Sequence, residues 1–265
     1  MVSTRIGAIS IGKGHPLLLI AGPCAAEDES VVDAAASCLR DAAAEHGISL
    51  IFKASYEKDN RTSGQAYRGP GREQGLRLLA LVRARYGLPV TTDVHRVDDV
   101  EAVAGEIDLV QIPALLCRQS SLLDAVGRVG KPVNLKKGQF ANRETIQGAL
   151  DKLRRAGASD LLISERGSCW GPERLVVDFA GLSELAALGA AVVVDASHAA
   201  PRPASIAALA CAAVAAGADG VFLECHPDPP RAHCDGARML ALSQMPALIA
   251  HLAALRRVSD QFSSA

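Results

Sequence analysis

Eight short apolar runs, each closed by a turn signal and each followed by a helical pattern, predict a (β/α)8 TIM barrel. Two further observations agree. Several of the helical segments stop at glycine, among them those ending at 47, 87, 130, 157 and 189, the usual left-handed terminator. The first apolar run is followed by GPCAAE, which is not the glycine fingerprint that opens a dinucleotide-binding sheet.

In chain order the expected strands are 16–23, 49–55, 88–95, 107–114, 131–138, 160–167, 190–198 and 219–227. The expected helices are 31–47, 71–87, 97–106, 120–130, 143–157, 181–189, 204–218 and 245–258. The strands are near-continuous Val, Ile and Leu runs, as strands covered on both faces require. The opening residues RIGAISIGKG alternate in polarity and predict a short N-terminal hairpin closing the barrel floor. No linker or low-complexity segment interrupts the chain, so residues 1–265 are expected to form one domain.

Hydrophobic residues make up 49% of the chain and aromatics only 3%. The core must therefore be aliphatic, which suits a parallel sheet wrapped in small-residue helices. A net charge of −1 supplies no global field to attract nucleic acid or an anionic membrane. No apolar run approaches the roughly 20 residues that span a bilayer, and MVSTRIGAISIGKGHP contains no signal-peptide core. Seven scattered cysteines fit free thiols in a reducing cytoplasm better than a disulfide framework.

Barrels of this kind react at the C-terminal ends of their strands. Here those ends carry Cys24, Lys53, Asp93 with His95, Gln111, Lys136 with Lys137, Arg166, His198 and Glu224. Solvation explains a polar residue at one rim position far better than at all eight.

Cys24, His198, Glu224 and Asp235 come from the first, seventh and eighth strand ends and the loop beyond, which are neighbours in a closed ring. Thiol, imidazole and two carboxylates form a mixed donor set suited to Zn²⁺, Fe²⁺, Mn²⁺ or Co²⁺ and poor for Ca²⁺. Read singly, Cys24 is an ordinary buried thiol and His198 a strand cap, but Glu224 after VFL is costly to bury without a partner. His226 is an alternative ligand. Cys225 should point away from Glu224 by strand alternation.

Two cationic clusters accompany these donors. Residues 53–72 carry Lys53, Lys58, Arg61, Arg68 and Arg72 among Ser, Asn and Gly, and read as a long functional loop on the reactive face. Lys136, Lys137 and Arg166, with Arg118 in the loop after the fourth strand, form the second cluster, and because Lys136 alternates with Lys137 only one of the two can face the barrel mouth. Like charges on adjacent strand ends call for an anion between them, so phosphorylated small molecules are the expected substrates.

The stretches IAGPC, FKASYEKDNRTS, YRGPG, TDVH, QIPALLCRQ, NLKKGQF, ERG, LVVDF, DASHA, ECHPDP and CDGA together resemble the 3-deoxy-D-manno-octulosonate 8-phosphate synthase family, over about residues 17 to 250. The resemblance implies condensation of phosphoenolpyruvate with arabinose 5-phosphate and release of phosphate, in the cytoplasmic synthesis of the lipopolysaccharide inner core. It implies that Lys53, Lys136 and Arg166 hold phosphoenolpyruvate, with Lys58, Gln111 and Gln139 nearby. Asn60, Arg61 and Ser63 would bind the pentose phosphate, completed by Arg118 from a neighbouring subunit of a homotetramer. Asp93 and His95 would lie near the reacting centre. Members of the metal-free class carry Asn where this chain has Cys24. The metal-dependent class is therefore implied, with Cys24, His198, Glu224 and Asp235 as ligands to one divalent transition metal. The short segment after DASHA looks more like the sister 3-deoxy-D-arabino-heptulosonate 7-phosphate synthases, which take erythrose 4-phosphate. KDNRTS, TDVH and NLKKGQF favour the octulosonate family.

Overall fold

The structure, a computed structural model, describes residues 4–61, 63–172 and 174–263. Strands β1 (Thr4–Ile6) and β2 (Ile9–Ile11) form the expected N-terminal hairpin. The parallel strands β3 (Leu18–Gly22), β4 (Ser49–Lys53), β5 (Val90–Asp93), β6 (Leu109–Ile112), β7 (Val133–Lys136) and β8 (Leu161–Glu165) follow. A second hairpin, β9 (Ser168–Trp170) and β10 (Arg174–Val176), precedes β11 (Ala191–Asp195) and β12 (Gly220–His226). Each barrel strand pairs with its neighbour in order, and β12 joins both β3 and β11, closing an eight-stranded ring. A two-residue β13 (Leu240–Ala241) pairs outside it with β12.

The helices are α1 (Glu29–His46), α2 (Arg72–Tyr86), α3 (Val100–Glu106), α4 (Ser120–Arg128), α5 (Arg143–Ala156), α6 (Leu182–Ala186), α7 (Ala196–Ala199), α8 (Ile206–Ala215) and α9 (Met245–Ser263). Local chemistry sets their ends. Asp28 caps α1 by accepting from the Val31 amide, and Gly47 stops it with φ 66°. Asn142 caps α5 in the same way through Thr145. None of the helices among the described residues is long and apolar enough to cross a membrane.

Period-two alternation divides each strand between two environments. In β3, Leu19 and Ala21 face outward into the layer between sheet and helices. Leu18 and Ile20 face the barrel interior with Ile51, Leu109, Leu162, Val193 and Phe222. Ile6 and Ile11 of the hairpin pack into that interior cluster, so the hairpin does close the floor. Above it the interior turns polar. The Phe222 ring marks the change, with Lys136 Nζ 3.7 Å and Lys53 Nζ 5.6 Å from its centre.

At the end of β3 the backbone admits only glycine. A Cβ on Gly22 would lie 2.1 Å from the Lys53 carbonyl oxygen. That close approach lets the chain leave the barrel at Pro23 and place Cys24 beneath the mouth.

Candidate functional site

The C-terminal mouth of the barrel encloses a cavity of ≈ 580 Å³. Of the residues expected there from the sequence, Cys24 is fully buried behind its wall and Arg118 is exposed in the loop after β6. Arg68 and Arg72 pair with Glu57, Asp59 and Asp99 instead, Lys137 turns away, and the rest, His226 apart, line it. The structure does not bring Arg118 into the cavity of its own chain.

The inner end is a set of buried charges held by inward-facing strand positions. Lys53 Nζ donates to Glu224 Oε1 at 2.8 Å and to the Cys24 carbonyl at 2.9 Å. Lys136 Nζ lies 2.5 Å from Asp195 Oδ2, and burial still lowers its pKa despite that partner. Burial alone would raise the Asp93 pKa, but Lys58, Lys53, His95 and Lys136 hold it well below the usual carboxylate range. Asp93 is also fixed by donors: Gln111 at 2.6 Å and Ser55 at 3.1 Å. The Gln111 amide accepts in turn from Asn134 at 3.0 Å, which accepts from Ser164 at 2.7 Å. One directional chain thus crosses β8, β7, β6 and β5. Burial lowers the pKa of His95, outweighing Asp93, so its ring is neutral at pH 7. Arg166 is buried with Nη1 unpartnered, a donor shaped for an anion in the cavity.

Lys137 points the other way, as alternation requires. It pairs with Glu165 at 3.3 Å and donates to Ser168 at 2.8 Å, tying β7 to the β9–β10 hairpin.

The donor set suits a divalent cation. Single ligand atoms of Cys24, Glu224 and Asp235 lie within 4.8 Å of one another. His198 stands at the edge of this group. Its Nδ1 lies 2.9 Å from Asp195 Oδ2, and its Nε2 lies 3.8 Å from Glu224 Oε2. With the proton on Nδ1, the Nε2 lone pair faces a buried carboxylate oxygen that has no hydrogen-bond donor. A cation between those two lone pairs would satisfy both, and the carboxylate behind the imidazole is the arrangement that orients a histidine ligand. The Cys24 thiol donates to Asp235 Oδ2 at 3.2 Å. The neighbouring Cys234, burial and the Glu224 charge push its pKa up, against Lys58 and Lys53.

His226, the alternative ligand considered from the sequence, does not join this group. Its Nδ1 accepts from the Asp228 amide at 3.0 Å and its Nε2 lies 3.6 Å from Glu27. Cys225 packs in the outer apolar layer, as strand alternation implied.

The outer end is built from the segment between β4 and α2. That segment is anchored by Tyr56, which is fully buried and donates to Asp99 at 3.3 Å. Its Lys58 ammonium is buried 3.7 Å from Asp93. Burial opposes that charge, but Cys24, Asp93 and Glu224 together raise its pKa well above the ordinary value. Asn60, Arg61 and Ser63 line the rim. Among the lining residues that escaped the sequence analysis are Leu175 and Arg238. Leu175 arrives on the β9–β10 hairpin, and Arg238 on a turn after Asp235. Arg238 was legible in principle as a cation three residues beyond a candidate ligand. The hairpin, with three-residue strands, carried no periodic signal.

The profile of the DAHP synthetase I family matches residues 2–258. Among similar proteins, the "2-dehydro-3-deoxyphosphooctonate aldolase" of Syntrophotalea carbinolica is 47% identical over 252 residues, covering 91% of each chain. Those of Desulfotalea psychrophila and Verminephrobacter eiseniae are 42% and 43% identical and cover 96% and 97% of this chain, and 94% and 96% of their own. The chain belongs to the DAHP synthetase I family and, within it, to the 2-dehydro-3-deoxyphosphooctonate aldolases.

Proposed function

We propose that the protein is a 3-deoxy-8-phosphooctulonate synthase, condensing phosphoenolpyruvate with arabinose 5-phosphate and water to give 3-deoxy-D-manno-octulosonate 8-phosphate and inorganic phosphate. The observation that carries this reading is the two-ended cavity: buried cations at its base, and a second polar and cationic rim on a long anchored loop. A bisubstrate reaction of two phosphorylated molecules needs both ends.

Lys53, Lys136 and Arg166 hold the carboxylate and phosphate of phosphoenolpyruvate at the base, with Lys58, Gln111 and Gln139 alongside. Their ammonium and guanidinium groups favour the charge that grows on the departing phosphate. Asn60, Arg61 and Ser63 take the phosphate of the aldose and so aim its aldehyde inward. The enol carbon bonds to the aldehyde carbon, and water adds to the adjacent carbon. The carbon–oxygen bond then breaks and expels phosphate. His95, neutral and lining the cavity, is placed to take the proton from that water, while Asp93 stays ionised and steadies Lys58. A divalent transition metal held by Cys24, His198, Glu224 and Asp235 would polarise the aldehyde or orient the water.

We further propose a cytoplasmic homotetramer, in which Arg118 of the partner subunit completes the aldose phosphate site. Phosphate release, followed with phosphoenolpyruvate and each aldose phosphate, tests the main reading. Turnover with arabinose 5-phosphate is expected. Turnover with erythrose 4-phosphate alone would reassign the chain to the heptulosonate synthases, an assignment that the names of the similar proteins do not favour.

A further inference from the structure

Asp235 is claimed from two sides. Arg61 Nη1 lies 3.1 Å from both of its carboxylate oxygens. From below, the Cys24 thiol donates to Oδ2, and the same carboxylate belongs to the cluster suited to a cation. Arg61 also lines the outer rim of the cavity with Asn60, Ser63 and Arg238, and its Nε is buried without a hydrogen-bond partner. One guanidinium therefore stands between a cation site and an anion site.

It cannot serve both fully. A divalent cation on Asp235 takes over the charge that Arg61 now neutralises and places like charge beside the guanidinium. The carboxylate is the less free member. Asp235 has φ 51°, uncommon for a residue other than glycine, and its carbonyl accepts from the Arg238 amide at 2.7 Å. A Cβ on the next residue, Gly236, would lie 2.1 Å from the Pro229 carbonyl oxygen, so the turn is closely packed. Arg61 lies in a segment with neither helix nor strand and carries a long flexible side chain. Movement falls to the arginine.

We propose that Arg61 couples the two sites: a divalent cation at Asp235 releases the guanidinium toward the phosphate of the acceptor aldose, so that cation and aldose phosphate bind with positive linkage. This rests on the aldose phosphate reading above. The coupling is reciprocal, so the sugar phosphate also tightens the cation.

Calorimetric titration of the full protein with arabinose 5-phosphate tests this without turnover, since phosphoenolpyruvate is omitted. The protein is compared after chelation and after loading with Zn²⁺. Wild type is expected to bind the sugar phosphate about tenfold or more tightly when loaded. Arg61→Gln is expected to bind weakly and equally in both states. Asp235→Asn, which weakens the hold on Arg61, is expected to bind tightly even after chelation. Circular dichroism melting of each variant confirms that it is folded. Equal wild-type affinity in the two states would overturn the coupling, as would cation dependence that survives Arg61→Gln. Erythrose 4-phosphate is titrated in parallel. If it alone binds, and shows the same cation dependence, the coupling stands and the acceptor assignment falls.

Discussion

Lys53 and Glu224 reach across β3 from the strands on either side and meet at 2.8 Å, their side chains 1% and 0% exposed. Burial alone would raise the Glu224 pKa, but Lys53, His198 and Lys58 bring it down to about 2. The pair therefore keeps a carboxylate ionised where an isolated one would take up a proton. Removing one partner of such a pair is expected to cost about 3–5 kcal/mol, because the other charge stays buried. Lys53→Met should lower the urea midpoint accordingly and cut kcat by roughly 10²–10³-fold through loss of a donor at the departing phosphate. Lys53→Met/Glu224→Gln should recover part of the stability and none of the activity. If single and double variants unfold at the same urea concentration, the pair is not coupled.

Asp93 links the site to pH. Its folded pKa is held below the ordinary value of 3.8 by surrounding ammonium groups that outweigh its burial. A carboxylate of this kind contributes stability that is complete above the unfolded pKa and is lost as pH falls through the folded one. Wild-type stability should therefore decline between about pH 5 and pH 1. Asp93→Asn should decline less steeply there. The slopes of urea midpoint against pH decide it, and parallel slopes would remove Asp93 from the account.

The chain from Ser164 through Asn134 and Gln111 to Asp93 runs wholly through buried groups, each donating to the next. Asn134→Leu strands the Gln111 carbonyl and leaves the Ser164 hydroxyl without its acceptor. Each buried polar group left unpaired costs about 1–3 kcal/mol. Because Gln111 also orients Asp93, the same variant should lower kcat more than it raises KM. Gln111→Leu/Asn134→Leu, which removes the facing amides together, should cost less stability than the two single changes added. An additive result would argue that the residues do not act as a chain.

The barrel and most of the site were legible because both follow from one periodicity. Lys53, Gln111, Arg166 and Glu224 lie at or beside strand ends in phase with apolar residues that fill the barrel, and Asp93 and Lys136 in phase with the buried Thr91 and Asn134, so alternation along each strand predicts which ends turn inward. It likewise separated Lys136 from Lys137 and Cys225 from Glu224. Where side-chain partners come from loops, phase carries no information. His226 shares the phase of Glu224 yet turns to Glu27, which arrives between β3 and α1. Leu175 reaches the cavity on the β9–β10 hairpin, whose strands are too short to show alternation. The Arg61–Asp235 contact joins two loops 174 residues apart and leaves no trace in either.

Cys24 tests the proposed metal dependence. Its thiol is buried, its pKa is raised, and Lys53 binds its backbone carbonyl rather than its sulfur. Without a cation to displace the proton, the sulfur remains a thiol at neutral pH and donates to Asp235. A cation that takes thiolate, imidazole and carboxylates together must release that proton, so its affinity should increase with pH. Exhaustive chelation should abolish phosphate release, and Zn²⁺, Mn²⁺ or Co²⁺ should restore it. Cys24→Ser keeps the shape but offers a harder and less acidic donor. It should weaken Zn²⁺ binding by roughly 10–100-fold, an effect of the size seen when a metal site loses a supporting group. Elemental analysis of dialysed wild type and variant reads this directly, apart from catalysis. Full activity after chelation, or equal Zn²⁺ retention by both proteins, would leave Cys24 as a packing residue.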